Sequence, residues 1–441
     1  MSLKQSDLAP VFSFLIPPLT ALLLLLTPVF GAWPCHATTE PPPGGEAAAP
    51  GGLAAALQAV ISHNPAVKGA RAELKAQGHA IDSAKAARYP TLSAQANNVN
   101  DPSGRYDQGT LRLQQPLWAF GKIDTAIDRQ KANYGAEQWN LLQVQRQLIE
   151  STAAAYAKAE GALRRAEVAR VNIAEHDRLY QRIKRRHSGG LASEADERLA
   201  YSRLIQARAQ AVGIEGELQV ALTELHSLTH VPVPVDRPVE RALAELPAAS
   251  AVEELALKKS ADVRYKQKRL KVVALDVKGE KVATLPNIYY RVDHEFLDKP
   301  SSGERTSSGL VIEGNFEGLG FSALGRVKGA VARQVVAREE LNEARNDVRS
   351  LVNALMISRN TQNLLAESQH ESVEVLESTM ASFLRQYESG RKTWIDVLNT
   401  QRELTVSRLQ LAQIENDWLV LSLRVVALTG GLDRLAGIES I

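Results

Sequence analysis

The sequence predicts a mainly helical chain built from two copies of one unit, each carrying a pair of inserted β-strands. Three observations predict it. Motifs recur at a fixed spacing. Long stretches favour helix and are broken by glycine at matching places. Two short stretches per copy alternate apolar and polar residues. A repeat decides the architecture of a chain, so it comes first.

SGGLASEADERLA (188–200) aligns with ESGRKTWIDVLNT (388–400) at an offset of 200. Gly190 meets Gly390, Ser193 meets Thr393 and Asp196 meets Asp396. Leu228-Thr229 meets Leu428-Thr429 at the same offset. ARYPTL (87–92) aligns with ATLPNI (283–288), and HNPAV (63–67) with SADV (260–263), at an offset of 196. The copies span 53–230 and 251–430. A linker over 231–250 joins them, and the prolines of VPVPVDRPVE forbid a helix there. A tail over 431–441 follows.

Each copy has the same element order. A leading helix starts at Asn64-Pro65, a cap followed by proline at the first helical position, or near Ser260. It ends before Pro90 or Pro286. Strand pairs over 92–116 and 287–317 come next. Leu92, Ala94 and Ala96 alternate with Ser93, Gln95 and Asn97, and Leu111 and Leu113 alternate with Arg112 and Gln114. Ile288, Tyr290 and Val292 alternate with Arg291 and Asp293, and Leu310, Ile312 and Phe316 with Glu313, Asn315 and Glu317. That is the period of a half-buried strand. Polar turns, DPSGRYDQG (101–109) and DKPSSGERTSSG (298–309), join each pair.

Long helices over 122–187 and 325–389 follow, then the glycine breaks, then return helices over 193–229 and 393–429. A helix over 122–187 is about 99 Å long, and the leading and return helices laid end to end reach about 92 Å. One long helix is therefore matched by two stacked shorter ones. Leu404, Leu411, Trp418 and Val425 form a seven-residue seam, with Ser407, Ile414, Leu421 and Leu428 beside it. The first copy repeats the positions with several alanines, which allow close helix approach.

The strands have the length of a tilted membrane-spanning strand. Four of them do not close a barrel, and an open edge cannot sit in lipid. Membrane barrels begin near eight strands, so several chains must pool theirs.

The net charge of +2 and the lack of a basic, aromatic-rich block do not suggest nucleic-acid binding. The N-terminus reads as a secretory signal over 1–37: Lys4, an apolar run over Val11–Phe30 broken by Pro17-Pro18, then Cys35-His36-Ala37. An uncleaved anchor, or a lipid on Cys35, are the alternatives. Residues 38–52 read as a flexible Pro/Gly/Ala leader. Cleavage after Ala37 leaves no cysteine, hence no disulfide and no thiol nucleophile. His226 and His230 are spaced i,i+4 but lack the H-E-x-x-H glutamate and a third ligand. GNFEGLGFSALG (314–325) is Gly-rich without a Walker lysine or a βαβ setting. No metal, cofactor or enzyme is predicted.

At the glycine breaks, Ser193-x-x-Asp196 and Thr393-x-x-Asp396 fit capping boxes that restart a helix. Acids there also suit the helix dipole. A ring of such acids at a pore mouth would concentrate cations, and the two roles are compatible.

The two helix–strand pair–helix repeats after a signal segment resemble the TolC-type outer-membrane efflux protein family over roughly 53–431. The strings NP, P-x-L, LRLQQPLWAFGK (111–122) and SGRKTWIDVL (389–398) carry the likeness. It implies a homotrimer in the outer membrane of a Gram-negative cell. Twelve pooled strands would make one transmembrane barrel, and the helices a long periplasmic α-helical barrel. It also implies a periplasmic membrane-fusion adaptor and an inner-membrane transporter of ABC or RND type as partners. LWAFGKID (117–124) and TWIDVLNTQRELT (393–405) are similar to members serving type I secretion of large adhesins, although Phe120 stands where those more often have glycine. Drug efflux is the other reading. An adaptor with one hairpin, or a structural coiled coil, is a further class, which the duplicated strand pairs disfavour.

By the same resemblance the tips at Gly190 and Gly390 form a periplasmic constriction. Tyr387 would meet Asp196, and Lys392 would link to the first-repeat tip. Lys392 replaces an arginine and loses its bidentate geometry. Asp396 would belong to an inner acidic ring. Asn399 stands where a second acid is expected, which halves the ring charge. Trp394 is read as packing or an adaptor contact.

Overall fold

The computed structural model describes residues 52–101, 104–297, 304–315 and 317–438. The expected signal peptide with Cys35, nearly all of the leader, Phe316 and the last three residues of the tail lie outside them.

The first repeat runs α1 (Leu53–His63), α2 (Pro65–Ala86), β1 (Thr91–Asp101), β2 (Gly104–Trp118), α3 (Lys122–Ser188) and α4 (Glu194–Thr229). A 3₁₀ turn over Arg241–Ala244 leads into the second. There α5 (Ala249–Lys259), α6 (Ala261–Ala283), β3 (Asn287–Leu297), β4 (Arg305–Glu313), α7 (Phe321–Glu388) and α8 (Trp394–Leu428) repeat the order. The caps follow the sequence. Asn64 accepts from the Ala66 amide at 2.9 Å, with Pro65 at the first helical position. Ser260 accepts from the Val263 amide.

Four features differ from the sequence reading. The turn read over 101–109 is already strand from Gly104, and the one read over 298–309 is strand from Arg305, because β2 and β4 pair further toward the turns than the alternation showed. Each repeat opens with an extra eleven-residue helix, α1 or α5, because Asn64 and Ser260 both end one helix and start the next. α7 begins at Phe321, not at Gly325, because Gly318 and Gly320 take positive φ and complete the turn. β2 reaches Trp118 through a register shift at Pro116, which has no N–H for the ladder, and β4 ends at Glu313.

The helices form one curved layer. Towards the strands the order is α2, α3, α6, α7; towards the tips it is α4, α3, α8, α7. α3 and α7 run the full length, about 100 Å each. The shorter helices meet at mid-height, where the largest core lies. It gathers Leu57 and Val60 of α1, Ile149 and Tyr156 of α3, Leu225 of α4 and Leu423 of α8. Residues Thr152 to Ala157 of α3 are buried without a break. A helix buried all round cannot show an amphipathic stripe, which explains the run TAAAYA.

The linker is pinned to this core. The Tyr156 hydroxyl donates to the Arg237 carbonyl at 2.7 Å, and the Val239 amide donates to Glu160 at 3.0 Å. Burial, with Glu160 nearby, pushes the Tyr156 phenol up to about 12, so it stays a neutral donor. The described part of the tail is also packed: Leu432 and Ala436 are buried, and Asp433 pairs with Arg146.

α3 and α8 approach most closely at Gly161. A Cβ there would stand 2.3 Å from Asn416 Cγ and 2.7 Å from Asn416 Cβ. The second atom is fixed by the α8 backbone, so no rotamer relieves the clash. Gly161→Ala is expected to destabilise the fold. Overpacking of about 1–3 kcal/mol outweighs the roughly 1 kcal/mol gained in helix propensity. Adding Asn416→Gly should restore stability and adding Asn416→Ala should not. Thermal unfolding of the variants checks this.

The four strands form one antiparallel sheet in the order β1-β2-β3-β4. Leu92, Leu113 and Val292 are directly opposed, as are Tyr290 and Leu310, and Ile288 and Ile312. All lie on one face. Leu92, Leu310 and Ile312 are about two-thirds exposed there. The other face is polar. Arg112 pairs with Asp293 at 2.7 Å, and Arg291 reaches Gln114 at 3.0 Å and Glu313 at 3.1 Å. No described helix is apolar and long enough to cross a membrane.

Candidate functional site

Two regions carry functional geometry: the sheet, and the tips at the opposite end of the long helices. The sheet is apolar on one face and ion-paired on the other, the alternation of a strand set with lipid on one side and water on the other. Tyr89, Trp118 and Phe321 are exposed at its junction with the helices, where aromatic rings suit a membrane–water boundary. Phe120 takes φ 48°, a left-handed conformation suited to glycine, at the position where the resemblance puts glycine. Its ring stacks edge-on against Trp118, with centroids 5.9 Å apart.

The tips are near-identical turns. Gly190 and Gly390 take φ 73° and 74°. The Leu191 amide bonds back to the Arg186 carbonyl and the Gly190 amide to His187. Arg391 and Gly390 repeat the pattern onto Gln386 and Tyr387. This double closure requires the left-handed residue and ends the helix sharply. The next helix then restarts through a full capping box at Ser193/Asp196 and at Thr393/Asp396.

Tyr387 is buried at the second tip, its ring 5.1 Å from that of Trp394. The Arg186 guanidinium of the first repeat lies 4.9 Å from the Tyr387 ring centre. Burial pushes the Tyr387 phenol up; Asp196 adds to that, while Arg186 and Arg182 oppose it. Asp196 is thus near Tyr387, but its carboxylate bonds Ser193, and no hydrogen bond joins it to Tyr387. Lys392 stays within its own hairpin, its Nζ 4.2 Å above the Phe383 ring. Trp394 is 4% exposed inside a cluster with Leu179, Ile183, Met380 and Leu398. Asn399 is half-buried two turns from Thr393.

The polar link between the repeats at this end is one the sequence reading lacked. Arg182 of α3 pairs with Glu388 of α7 at 3.0 Å, one turn from the Arg186–Tyr387 stack. Arg182 and Arg186 are spaced i,i+4 and so share a face of α3. That spacing was the available signal, obscured by the four other basic residues in RLYQRIKRRH.

Asp396 accepts from the Thr393 hydroxyl at 2.7 Å and from its amide at 3.0 Å. These bonds, with Lys392 adding to them, hold the carboxyl below the ordinary aspartate range. A depressed folded pKa stabilises above the unfolded value of about 3.9, and the gain is lost as pH falls through the folded value. Amide exchange at the start of α8 should therefore quicken below about pH 4. Thr393→Val should abolish that step.

A sequence model described as outer membrane efflux protein matches residues 56–229. The chain is 21% identical over 412 residues to the outer membrane efflux protein BepC of Brucella suis, covering 88% of this chain and 87% of that one. It is 23% identical over 372 residues to the pyoverdine export outer membrane protein OpmQ of Pseudomonas putida, covering 78% and 76%. The solved outer-membrane channel OprN superposes with a TM-score of 0.72 at 20% identity, covering 86% of this chain and 90% of that one. Over residues 56–229 the chain is thus similar to the outer membrane efflux protein family, and the remainder of the fold repeats the same element order.

Proposed function

We propose that three copies of this chain close into one duct that carries cargo from inner-membrane machinery to the cell exterior. The protein is an outer-membrane efflux channel, not an enzyme, and its helices extend into the periplasm. One observation carries the closure: the sheet and the helical layer are open at the same two sides. β1 and β4 are the edge strands, α2 and α4 flank the β1 side, and α7 flanks the β4 side. Both open sides present apolar surface, including Val212 and Val220 on α4 and Ile357 and Leu364 on α7. Copies joined head to tail satisfy strand edges and helix edges in the same step. Three copies give the twelve strands that the family resemblance implies.

The tips are the gate. Arg182–Glu388 and Arg186–Tyr387 tie the first repeat to the second where the duct would narrow. Asp196, Lys392, Asp396 and Asn399 lie on the same two tips, and Tyr387 is part of the link itself. Leu191 and Ile395 are left exposed at the tips, apolar surface of the kind a docking adaptor covers. A transporter of ABC or RND type supplies the energy. For cargo, the strings LWAFGKID and TWIDVLNTQRELT support type I secretion of a large adhesin. A small-molecule cargo is the second reading, favoured by a relative named for pyoverdine export.

Detergent extraction of outer membranes should yield heat-modifiable trimers, and a soluble periplasmic monomer would refute the duct. Gene deletion should abolish surface adhesin; normal display with raised drug sensitivity would select the second reading. Glu388→Ala with Arg186→Ala should raise single-channel conductance in planar bilayers, as should Asp196→Ala with Tyr387→Phe. Unchanged conductance in both would leave these residues as packing alone.

A further inference from the structure

α3, α4 and α8 line a half-open cavity of about 240 Å³ in the tip-side half of the helical layer. Asn172 and His176 line it from α3, Arg203 and Gln206 from α4, and Arg402 and Thr405 from α8. His176 is 5% exposed, and its Nδ1 is buried with no hydrogen-bond partner. Arg203 Nε is likewise buried and unpartnered. Three of the other polar side chains are in use. Thr405 donates to Asn172 at 2.6 Å, and an Arg203 terminal nitrogen donates to Gln206 at 2.9 Å. No carboxylate lines the cavity, and neither Arg203 nor Arg402 has an acidic partner among the described residues.

Half-buried Arg203 and exposed Arg402 thus put two positive charges beside two buried nitrogens, His176 Nδ1 and Arg203 Nε, that have no protein partner. Water can satisfy the donors, but an anion would satisfy them and also gain the attraction of both arginines. Arginine offers a planar fork of donors suited to the oxygens of an oxoanion. The volume lies below the roughly 300 Å³ at which drug-sized sites begin, which selects a compact ligand. Burial, then Arg203, holds the His176 imidazole below its ordinary range, and the Nδ1–H tautomer of a neutral ring would donate to an anion in the site.

We propose that this cavity binds a small tetrahedral oxoanion, of the size and charge of phosphate or sulfate, held by Arg203, Arg402 and His176. Its place gives it a structural effect. α4 belongs to the first repeat and α8 to the second; each lies on α3, and the two barely touch. The anion would join them directly. Binding is independent of which cargo the duct carries.

The test uses the full chain purified in detergent. Crystals grown in tungstate should show an anomalous peak between Arg203, Arg402 and His176. Inorganic phosphate should raise the unfolding temperature progressively with concentration, at ionic strength held constant with chloride. Arg402→Gln, on an exposed side chain, should weaken the apparent phosphate affinity about tenfold, and Arg203→Gln with Arg402→Gln should abolish the response. An equal rise with chloride alone, an equal response in the variants, or ordered water with no anomalous peak would overturn the site. The peak is read on the unaltered chain, so the test holds if a variant does not fold.

Discussion

Replacing Arg146 by methionine should destabilise the mid-height core by about 3–5 kcal/mol. Arg146 Nη2 lies 2.7 Å from Asp433 Oδ2, and its Nε lies 3.1 Å from the same oxygen. Nη1 donates to the Lys259 carbonyl at the α5–α6 junction. Both paired side chains are nearly buried, at 14% and 11% exposed. Methionine fills much of the same volume, so packing loss is small. What remains is the Asp433 carboxylate, buried without a counter-charge. Adding Asp433→Leu removes that charge and should return most of the stability, since a buried pair is often replaceable by apolar residues. Thermal unfolding of the single and double variants decides it. If the double variant is no better than the single, the segment 431–438 is held by something other than this pair.

Trp394→Ala should cost about 3–5 kcal/mol, confined to the tips. The indole is 4% exposed and stacks on Tyr387, whose other neighbour is Arg186. Removing it opens space beneath the one ring that joins the two repeats at this end. The core at α1, Tyr156 and Leu423 is remote and should survive. Global melting should therefore shift little, while trypsin cuts faster at Arg391 and Lys392 and conductance rises. Trp394→Phe separates packing from polarity. The indole Nε1 is buried with no acceptor, so phenylalanine loses volume but also removes an unsatisfied donor. It should be far milder than alanine. Equal damage from both would point to a hydrogen bond that the geometry does not show.

The sequence announced what is local and what is duplicated. Gly190 and Gly390, and the acids three residues after Ser193 and Thr393, each belong to a motif of a few residues, and their alignment reinforced the reading. The strands were legible because pleated backbone forces alternation wherever two faces meet different surroundings. The extra helices α1 and α5 were harder, because the chain breaks at Asn64 and Ser260 without a visible loop. The Arg182–Glu388 and Arg186–Tyr387 contacts were not legible. They join unlike residues across repeats, so no offset of 200 exposes them. The Phe383 seat of Lys392 was hidden for a related reason. A cation at a tip can turn inward to its own hairpin or outward to a neighbour, and spacing does not choose.

The mid-height core has a mechanical meaning. There the stacked helices meet end to end, and the linker and the tail are tied across them by Glu160, Arg146 and Arg359, the last donating to the Ala244 carbonyl. The helices are thus cross-tied by the linker and the tail at the waist, and by neither of them below it. From Tyr156 to Ser188, α3 extends about 48 Å beyond that tie. A lever that long converts a tilt of a few degrees at the waist into several ångströms at its end. In the proposed duct the tips would part by pivoting once the Arg182–Glu388 and Arg186–Tyr387 links release, with no helix unwound and no strand pair broken.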